Sequence, residues 1–381
     1  MRNSNIYKNI FMMMIVFTLT FVSVSSIVFA EDTLVEEDLE KPKPVRGKVI
    51  EMVSEETAEE GFFGDNSTTI IQNVKVEILT GDHKGEILHV ENMIDDMLAY
   101  NINVEEGDKV LLYLEQDTEG NIINGYISDI ARDKYLVYLG IFFVLLLIIV
   151  GGMKGIKSII TLGLTILAVF KILLPMILKG YNATAISILI CIGVTTITLM
   201  IISGINQKTF SAIIGTTGGV LVAGIITWIM SNVANLTGLG SEEAQMLMFI
   251  PGAENFNFEG ILFSGIILGA LGAVMDVSMS IASSLNELKI TNPDIDKKSL
   301  IKSGMNIGKD IMGTMSNTLI LAYTGGALHM MLLFMAHDFY FTEIINRDMI
   351  ASEVVRALAG SIGLIFTIPI TAFVASIFIK E

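Results

Sequence analysis

The sequence contains very little of the residues that build disulfides, metal sites and most enzyme active sites. Its 381 residues include one cysteine, one tryptophan, six prolines and four histidines. A lone cysteine, Cys191, excludes an intrachain disulfide and a paired-cysteine metal or redox site. The motifs HExxH, GxxxxGK[ST] and GxSxG are missing, and Asp276 lacks the preceding glycines of the GxGD motif of intramembrane aspartyl proteases. We therefore expect neither an enzyme nor a bound cofactor.

Charge is scarce over most of the chain and is concentrated near its beginning. Charged residues make up 17% of the sequence and hydrophobic residues 52%. Residues 31–134 hold 26 acidic and nine basic side chains, whereas the remainder holds 14 acidic and 15 basic ones, so the net charge of −16 lies almost wholly in that segment. This distribution is typical of a multi-pass membrane protein with one acidic soluble domain. It offers no basic surface for nucleic acid.

The first third of the chain predicts an export segment, a linker and a β-domain. Residues 1–30 combine two basic residues with a long apolar run ending in Val-Phe-Ala, which fits a signal peptide. The run is also long enough to be an uncleaved signal anchor. Residues 31–44 read as an acidic linker. Residues 45–131 show five or six short strand patterns separated by turns, which indicates a small barrel- or sandwich-like β-domain.

Seven apolar segments follow, each long enough to cross most or all of the ~30 Å hydrocarbon layer at ~1.5 Å per residue. We predict spans at 135–152, 158–178, 183–203, 209–231, 260–282, 311–335 and 355–379. Loop 283–310 carries five lysines, whereas loop 232–259 carries four glutamates and no basic residue. Basic loops stay in the cytoplasm. The predicted architecture is an α-helical polytopic domain over 135–379 in the cell membrane, with the β-domain outside and the C-terminus cytoplasmic.

Glycine and polar residues form one stripe on the span at 260–282 and another on the span at 311–335. Both stripes follow helical spacing and continue into the loop that joins the two spans. The first consists of Gly265, Gly269, Gly272, Asp276, Ser280, Ser283 and Glu287, and the second of Asn306, Asp310, Gly313, Asn317 and Thr324. Because glycines allow close approach of membrane helices, we expect the stripes to face each other, with Asp276 near Asn317.

Two interpretations of these stripes remain open. An aspartate at the centre of a span costs ~2.5–3.5 kcal/mol on insertion scales, so it requires a partner or a function. The first interpretation is a polar site for a proton or cation in an inward-facing cavity. Its candidate residues are Asp276, Ser280, Glu287, Asn306, Asp310 and Asn317. The second is a structural clamp in which Asp276 is protonated or hydrogen-bonded to Asn317 and Ser280.

Two other polar residues of the spans receive ordinary structural interpretations. His329 lies on an apolar helix face, so we expect a buried neutral side chain. Arg356 stands at the start of the last span, where we expect it to anchor the helix at the outer interface.

Three longer segments resemble the YibE/F family of bacterial membrane proteins. They are GGMKGIKSI at 151–159, GALGAVMDVSMSIASSLNEL at 269–288 and NIGKDIMGTMSNTLILAYTGGAL at 306–328. The resemblance covers about 45–380 and implies a polytopic plasma-membrane protein of a bacterium, with a Gram-positive source expected. It implies no particular activity.

Two functions fit the sequence. The first is a permease or ion-coupled transporter whose polar site lies between the spans at 260–282 and 311–335. The alternative is a membrane sensor or assembly component whose extracytoplasmic β-domain binds a ligand or protein. The expected partners are the lipid bilayer, a proton or cation, and a second membrane protein or another copy of the chain.

Overall fold

The computed structural model describes residues 44–58, 69–95, 100–117 and 119–379. The predicted export segment, and the linker up to residue 43, lie outside these ranges. The chain forms two compact units, and the boundary between the β-unit and the helical unit falls between Leu146 and Leu147.

The β-unit contains one five-stranded antiparallel sheet, as the strand patterns predicted. Its strands are β1 (Val45–Ala58), β2 (Thr69–Ile78), β3 (Ile87–Asp95), β4 (Lys109–Gln116) and β5 (Ile122–Ile130), in the order β3-β2-β1-β4-β5. The two edge strands approach each other, since a Cβ on Gly125 of β5 would lie 2.2 Å from Leu88 of β3. The sheet therefore curls towards a barrel, which buries alternate residues such as Val74, Val76 and Ile78 on β2.

A buried glutamine connects β2 to the segment between β3 and β4. Gln72 is only 2% exposed, and its amide nitrogen donates to Asn103 Oδ1 at 2.7 Å. Its carbonyl oxygen accepts from Asn92 Nδ2 at 3.1 Å and from the backbone N–H of Val104 at 3.3 Å. This one side chain bonds polar groups of two other segments, β3 and residues 103–104, so its removal leaves the buried Val104 N–H without an acceptor.

The helical unit and its leading helix contain ten α-helices in the described part of the chain. They are α1 (Asp133–Ala168), α2 (Leu174–Leu178), α3 (Ala183–Ser203), α4 (Gln207–Val233), α5 (Glu242–Met246), α6 (Phe258–Thr291), α7 (Lys297–Gly326), α8 (Leu328–Ala336), α9 (Phe341–Ile345) and α10 (Asp348–Phe378). A π-helical turn, Val169–Leu173, joins α1 to α2.

The number of possible membrane crossings differs from the seven predicted. Within the described ranges, five helical stretches are long and apolar enough to cross, and a sixth is added if α7 and α8, bent by 58°, form one span. The difference arises at 135–152 and 158–178, because the count of five takes Asp133–Leu178 as one stretch although two helices meet within it. Gly152 interrupts this stretch with φ 52° and ψ −131°, a conformation that glycine adopts easily.

Close contact between α4 and α10 forms the centre of the helical unit. A Cβ on Gly219 of α4 would lie 1.7 Å from Thr367 Oγ1 and 2.9 Å from the carbonyl oxygen of Gly363, both on α10. Between these helices lies α6, whose Ser278 hydroxyl donates to the carbonyl of Ala212 at 2.8 Å and lies 2.9 Å from Thr371 Oγ1. The glycines of α4 therefore serve helix packing, and small polar side chains seal the contact.

Substitution of Gln72 tests the polar core of the β-unit. In Gln72→Ala, the Val104 N–H loses its acceptor and Asn92 keeps only its bond to the Ile102 carbonyl oxygen, so we expect a loss of about 2–3 kcal/mol of local stability. Hydrogen exchange of the full-length protein in detergent should show faster exchange in β2 and β3. Gln116→Ala, at an exposed position, is the control and should exchange like the wild type. Unchanged protection in Gln72→Ala would contradict this role.

Substitution of Gly219 tests the packing of the helices. In Gly219→Ala the added methyl group meets the Gly363 backbone, which cannot move aside as a side-chain end can. We expect a loss of about 1–3 kcal/mol and a lower melting temperature in detergent. Gly163→Ala on α1 is the matched control, because its Cβ would meet no atom within 4 Å. Equal melting temperatures for the two variants would refute the close contact.

Candidate functional site

The predicted stripe on α6 lies on an open face of the helix. Asp276, Ser280 and Glu287 are exposed, and a Cβ on Gly265 or Gly272 would meet no atom within 4 Å. The opposite face of α6 forms the packed interface with its neighbours. It includes Ile267, Ala270, Val274, Val277, Ile281 and Leu285. The expectation that the α6 glycines pack against α7 is therefore wrong for Gly265 and Gly272.

The predicted stripe on α7 is open as well. Asn306, Asp310 and Asn317 are exposed. The packed face of α7 instead uses Gly304 and Gly308, which lie against α10. A Cβ on Gly304 would lie 2.8 Å from the Ala372 side chain, and one on Gly308 would lie 2.1 Å from that of Ile368.

No hydrogen bond or ion pair joins the six candidate side chains to one another or to any other residue in the part of the chain described. In particular, Asp276 has no hydrogen bond to Asn317 or Ser280, the two partners that the clamp interpretation names. The polar atoms of both stripes are instead available to water, ions or another molecule.

The open face of α6 has about the length of a membrane crossing. From Gly265 to Glu287 it covers 22 residue steps, or ~33 Å, against ~30 Å of hydrocarbon. Asp276 stands halfway along this face. The helix continues past the predicted end of the span at 282, to Thr291.

A cleft that the sequence did not predict lies beside the first turns of α6. It has a volume of about 870 Å³ and is bounded by the end of α7, the beginning of α8, the beginning of α10 and the loop that contains α5. We name it the terminal cleft. Its polar lining residues are Ser241, Glu242, Glu243, Tyr323, His329, Ser352, Glu353 and Arg356, and Gly265 of the α6 stripe also lines it.

The loop over the terminal cleft is held tightly by its neighbours. Thr237 donates from its backbone N–H and its hydroxyl to the Asp348 carboxylate at the start of α10, at 3.2 and 2.7 Å. Gly238 adopts φ +74°, and a Cβ there would lie 2.2 Å from the Phe258 carbonyl oxygen. Only glycine fits this close approach. The loop, α6 and α10 are thereby fixed relative to one another.

Three residues that line the terminal cleft each have a buried polar atom with no hydrogen-bond partner among the described residues. These atoms are Tyr323 Oη, Ser352 Oγ and Arg356 Nε. Arg356 Nη1 does have one, since it pairs with Glu353 Oε1 at 3.1 Å. Gly269 makes room for the tyrosine, because a Cβ there would lie 2.3 Å from Tyr323 Oη. Buried donors without acceptors are costly and call for an explanation.

The rim of the terminal cleft is acidic. Glu242 and Glu243 are exposed at the start of α5. The Glu243 carboxylate is bonded first to its own backbone N–H and then to the Ser241 hydroxyl, which lowers its pKa and keeps it ionised at neutral pH. His329 is exposed and lines the cleft, so its predicted burial is wrong. The spacing of Ser352, Glu353 and Arg356 on one helical surface was the signal that sequence reasoning did not use.

The β-unit has a pocket of its own between its edge strands. It has a volume of about 890 Å³ and is lined by His89 to Met93 of β3, by Asn124 to Ile127 of β5, and by parts of β1 and β2. Across the described residues, no group of three or more histidines, cysteines, aspartates or glutamates is placed to hold a metal ion.

A curled antiparallel β-unit followed by long apolar helices defines a class of protein, the polytopic membrane protein with an N-terminal β-domain. Comparison with protein families narrows this class. Residues 139–381 match the YibE/F-like protein family and residues 43–130 match the YibE/F family N-terminal domain. The chain therefore belongs to the YibE/F family. No curated protein and no solved structure matches it.

Proposed function

We propose that this protein is a permease or ion-coupled transporter of the plasma membrane, with a polar pathway along the open faces of α6 and α7. The observation that carries the proposal is the open stripe of α6, which holds Asp276 at its midpoint and has no partner for that carboxylate within the described chain. Its length matches a full crossing of the hydrocarbon layer.

The cost of exposing this stripe to lipid supports the proposal. A charged aspartate facing hydrocarbon at the helix centre costs ~2.5–3.5 kcal/mol, and the asparagines and Asp310 of α7 add to that cost. Water along the two helices would remove it. Ionisable residues within membrane helices generally face such water-filled cavities and mark ion or substrate pathways.

Asp276 has the chemistry of an exchangeable proton or cation site. Its carboxylate is not fixed by an ion pair, so protonation or cation binding would break no existing bond. Ser280 lies one helical turn further along α6 and offers a hydroxyl to the same ligand. Asn317 offers an amide from α7. Glu287, Asn306 and Asp310 would form the entrance at the end where α6 leads into α7.

The proposed orientation places the β-unit and the α5 loop outside and the α6–α7 loop in the cytoplasm. In a Cys191→Ser background, which has no other cysteine, Glu254→Cys should react with an impermeant maleimide on intact cells. Lys297→Cys should react only after permeabilisation. Both positions are exposed. Labelling of Lys297→Cys in intact cells would reverse the orientation.

Neutralising Asp276 tests the transport function directly. We expect liposomes with the wild-type protein to take up protons or metal cations along a gradient, and Asp276→Asn to reduce that uptake at least about tenfold. The variant should fold, because the replaced carboxylate is exposed and makes no hydrogen bond. Asp294→Asn, exposed in the α6–α7 loop, is the matched control and should transport like the wild type.

Two results would count against the carrier. Equal uptake by the wild type and Asp276→Asn would remove Asp276 from the pathway. No uptake by any of the three folded proteins would favour the alternative, a sensor or assembly component.

The pocket of the β-unit is the observation that favours this alternative. A receptor would bind its ligand or protein partner there, and the helices would anchor or relay the signal. Deletion of residues 45–131 with the export segment retained separates the two functions. A transporter should keep uptake through its helices, whereas a receptor should lose its response completely.

A further inference from the structure

The terminal cleft has the properties of a binding site, and it lies outside the set of residues that the proposed pathway uses for ions. It is concave, it has apolar walls and it contains a few convergent polar groups, which is the usual composition of small-molecule sites. Its groups come from α6, α7, α10 and the α5 loop, and the Thr237–Asp348 bonds hold that loop to the start of α10.

The unpartnered buried atoms of these lining residues are all able to donate hydrogen bonds, and a small side-chain movement would turn them to a ligand in the cleft. Tyr323 and Ser352 present hydroxyls, and Arg356 presents its Nε–H. Ser352 is only 6% exposed, so bulk water has little access to form a hydrogen bond with its hydroxyl. Donors gathered in this way favour a ligand group that accepts several hydrogen bonds, and a carboxylate is such a group.

Arg356 narrows the chemistry of that acceptor. Its Nη1 is already held by Glu353, which leaves the edge formed by Nε and Nη2 for a ligand. This edge of a guanidinium matches the two oxygens of a planar carboxylate, and such paired bonds are stronger than neutral ones. The pairing with Glu353 also fixes the direction of the guanidinium.

The acidic rim of the cleft favours a ligand that also carries a positive charge. Glu242, Glu243 and Glu353 outnumber Arg356, so a purely anionic ligand would meet net repulsion. A ligand that also carries an ammonium group would relieve this excess of negative charge. The walls between base and rim are apolar, and they include Ile261, Leu262, Met330, Leu333 and Met349. They suit an aliphatic side chain.

We propose that the terminal cleft binds a zwitterionic α-amino acid with an aliphatic side chain. Its carboxylate bonds to Arg356, Tyr323 and Ser352, its ammonium group faces the rim carboxylates, and its side chain packs on the apolar wall. This binding site goes beyond the proposed ion pathway, and it stands whether or not Asp276 carries a flux.

Calorimetric titration of the full-length protein in detergent with L-leucine tests the site. We expect leucine to bind, and 4-methylpentanoate, which lacks the ammonium group, and 3-methylbutylamine, which lacks the carboxylate, to bind at least about tenfold more weakly. Equal affinity for leucine and 4-methylpentanoate would overturn the zwitterion assignment, and no heat of binding from leucine would overturn the site.

Variants then locate the binding. Arg356→Lys keeps the charge but loses the planar edge, and should weaken leucine binding at least about tenfold. Tyr323→Phe should weaken it by about fivefold or more, and Gly269→Ala should also weaken it, since its methyl group displaces the tyrosine hydroxyl. Arg132→Lys, exposed in the β-unit, is the control.

Wild-type affinity in both Arg356→Lys and Tyr323→Phe would refute the proposal. Because the titration involves no gradient, its failure is distinct from a failure of ion uptake. Leucine binding without ion uptake supports the cleft and counts only against the pathway.

Discussion

Close contact between α4 and α10 is the constraint on which the helical unit depends. The glycines of α4 bring its backbone against the threonines of α10, and Ser278 of α6 fills the junction with hydrogen bonds to both neighbours. In a bilayer the lipid tails are as apolar as the side chains, so helices associate through such close packing and internal hydrogen bonds. These contacts settle which face of α6 is turned inward.

The orientation of α6 has a direct consequence for its polar residues. Since Ser278 and Val274 point into the junction, Asp276 and Ser280, roughly half a turn away, must point outward. The small polar groups of the junction are satisfied inside the chain, whereas the ionisable group is not. This division separates residues that stabilise the fold from residues that are available for function, and it is the physical basis of the proposed pathway.

The terminal cleft and the open stripe share α6. Gly265 lines the cleft and Gly269 accommodates the Tyr323 hydroxyl, while Asp276 stands about two to three turns further along the same face. A solute in the cleft and an ion at Asp276 would therefore lie on one helix face, ~10–17 Å apart at 1.5 Å per residue. In the proposed carrier, α6 would connect the two sites.

The sequence by itself determined the class of the protein and much of its organisation. Alternating apolar residues indicate the strands of the β-unit, and long apolar runs indicate the helices. Both patterns are local, so they can be read from neighbouring residues of the sequence. The glycine and polar stripes of α6 and α7 follow from the same local spacing. The spacing of residues in the sequence shows which of them share a helix face, but it does not show which neighbour that face contacts.

Only the tertiary structure decided those contacts. Helix α7 has two faces that contain glycine. Gly304 and Gly308 form the packed face, because Ala372 and Ile368 of α10 lie against them, whereas Gly313 contacts no neighbour. The break at Gly152 falls where the first predicted span ends, but its backbone conformation is defined only in the structure. The terminal cleft combines residues from Glu242 to Arg356, and their convergence follows from helix packing across more than a hundred residues of sequence.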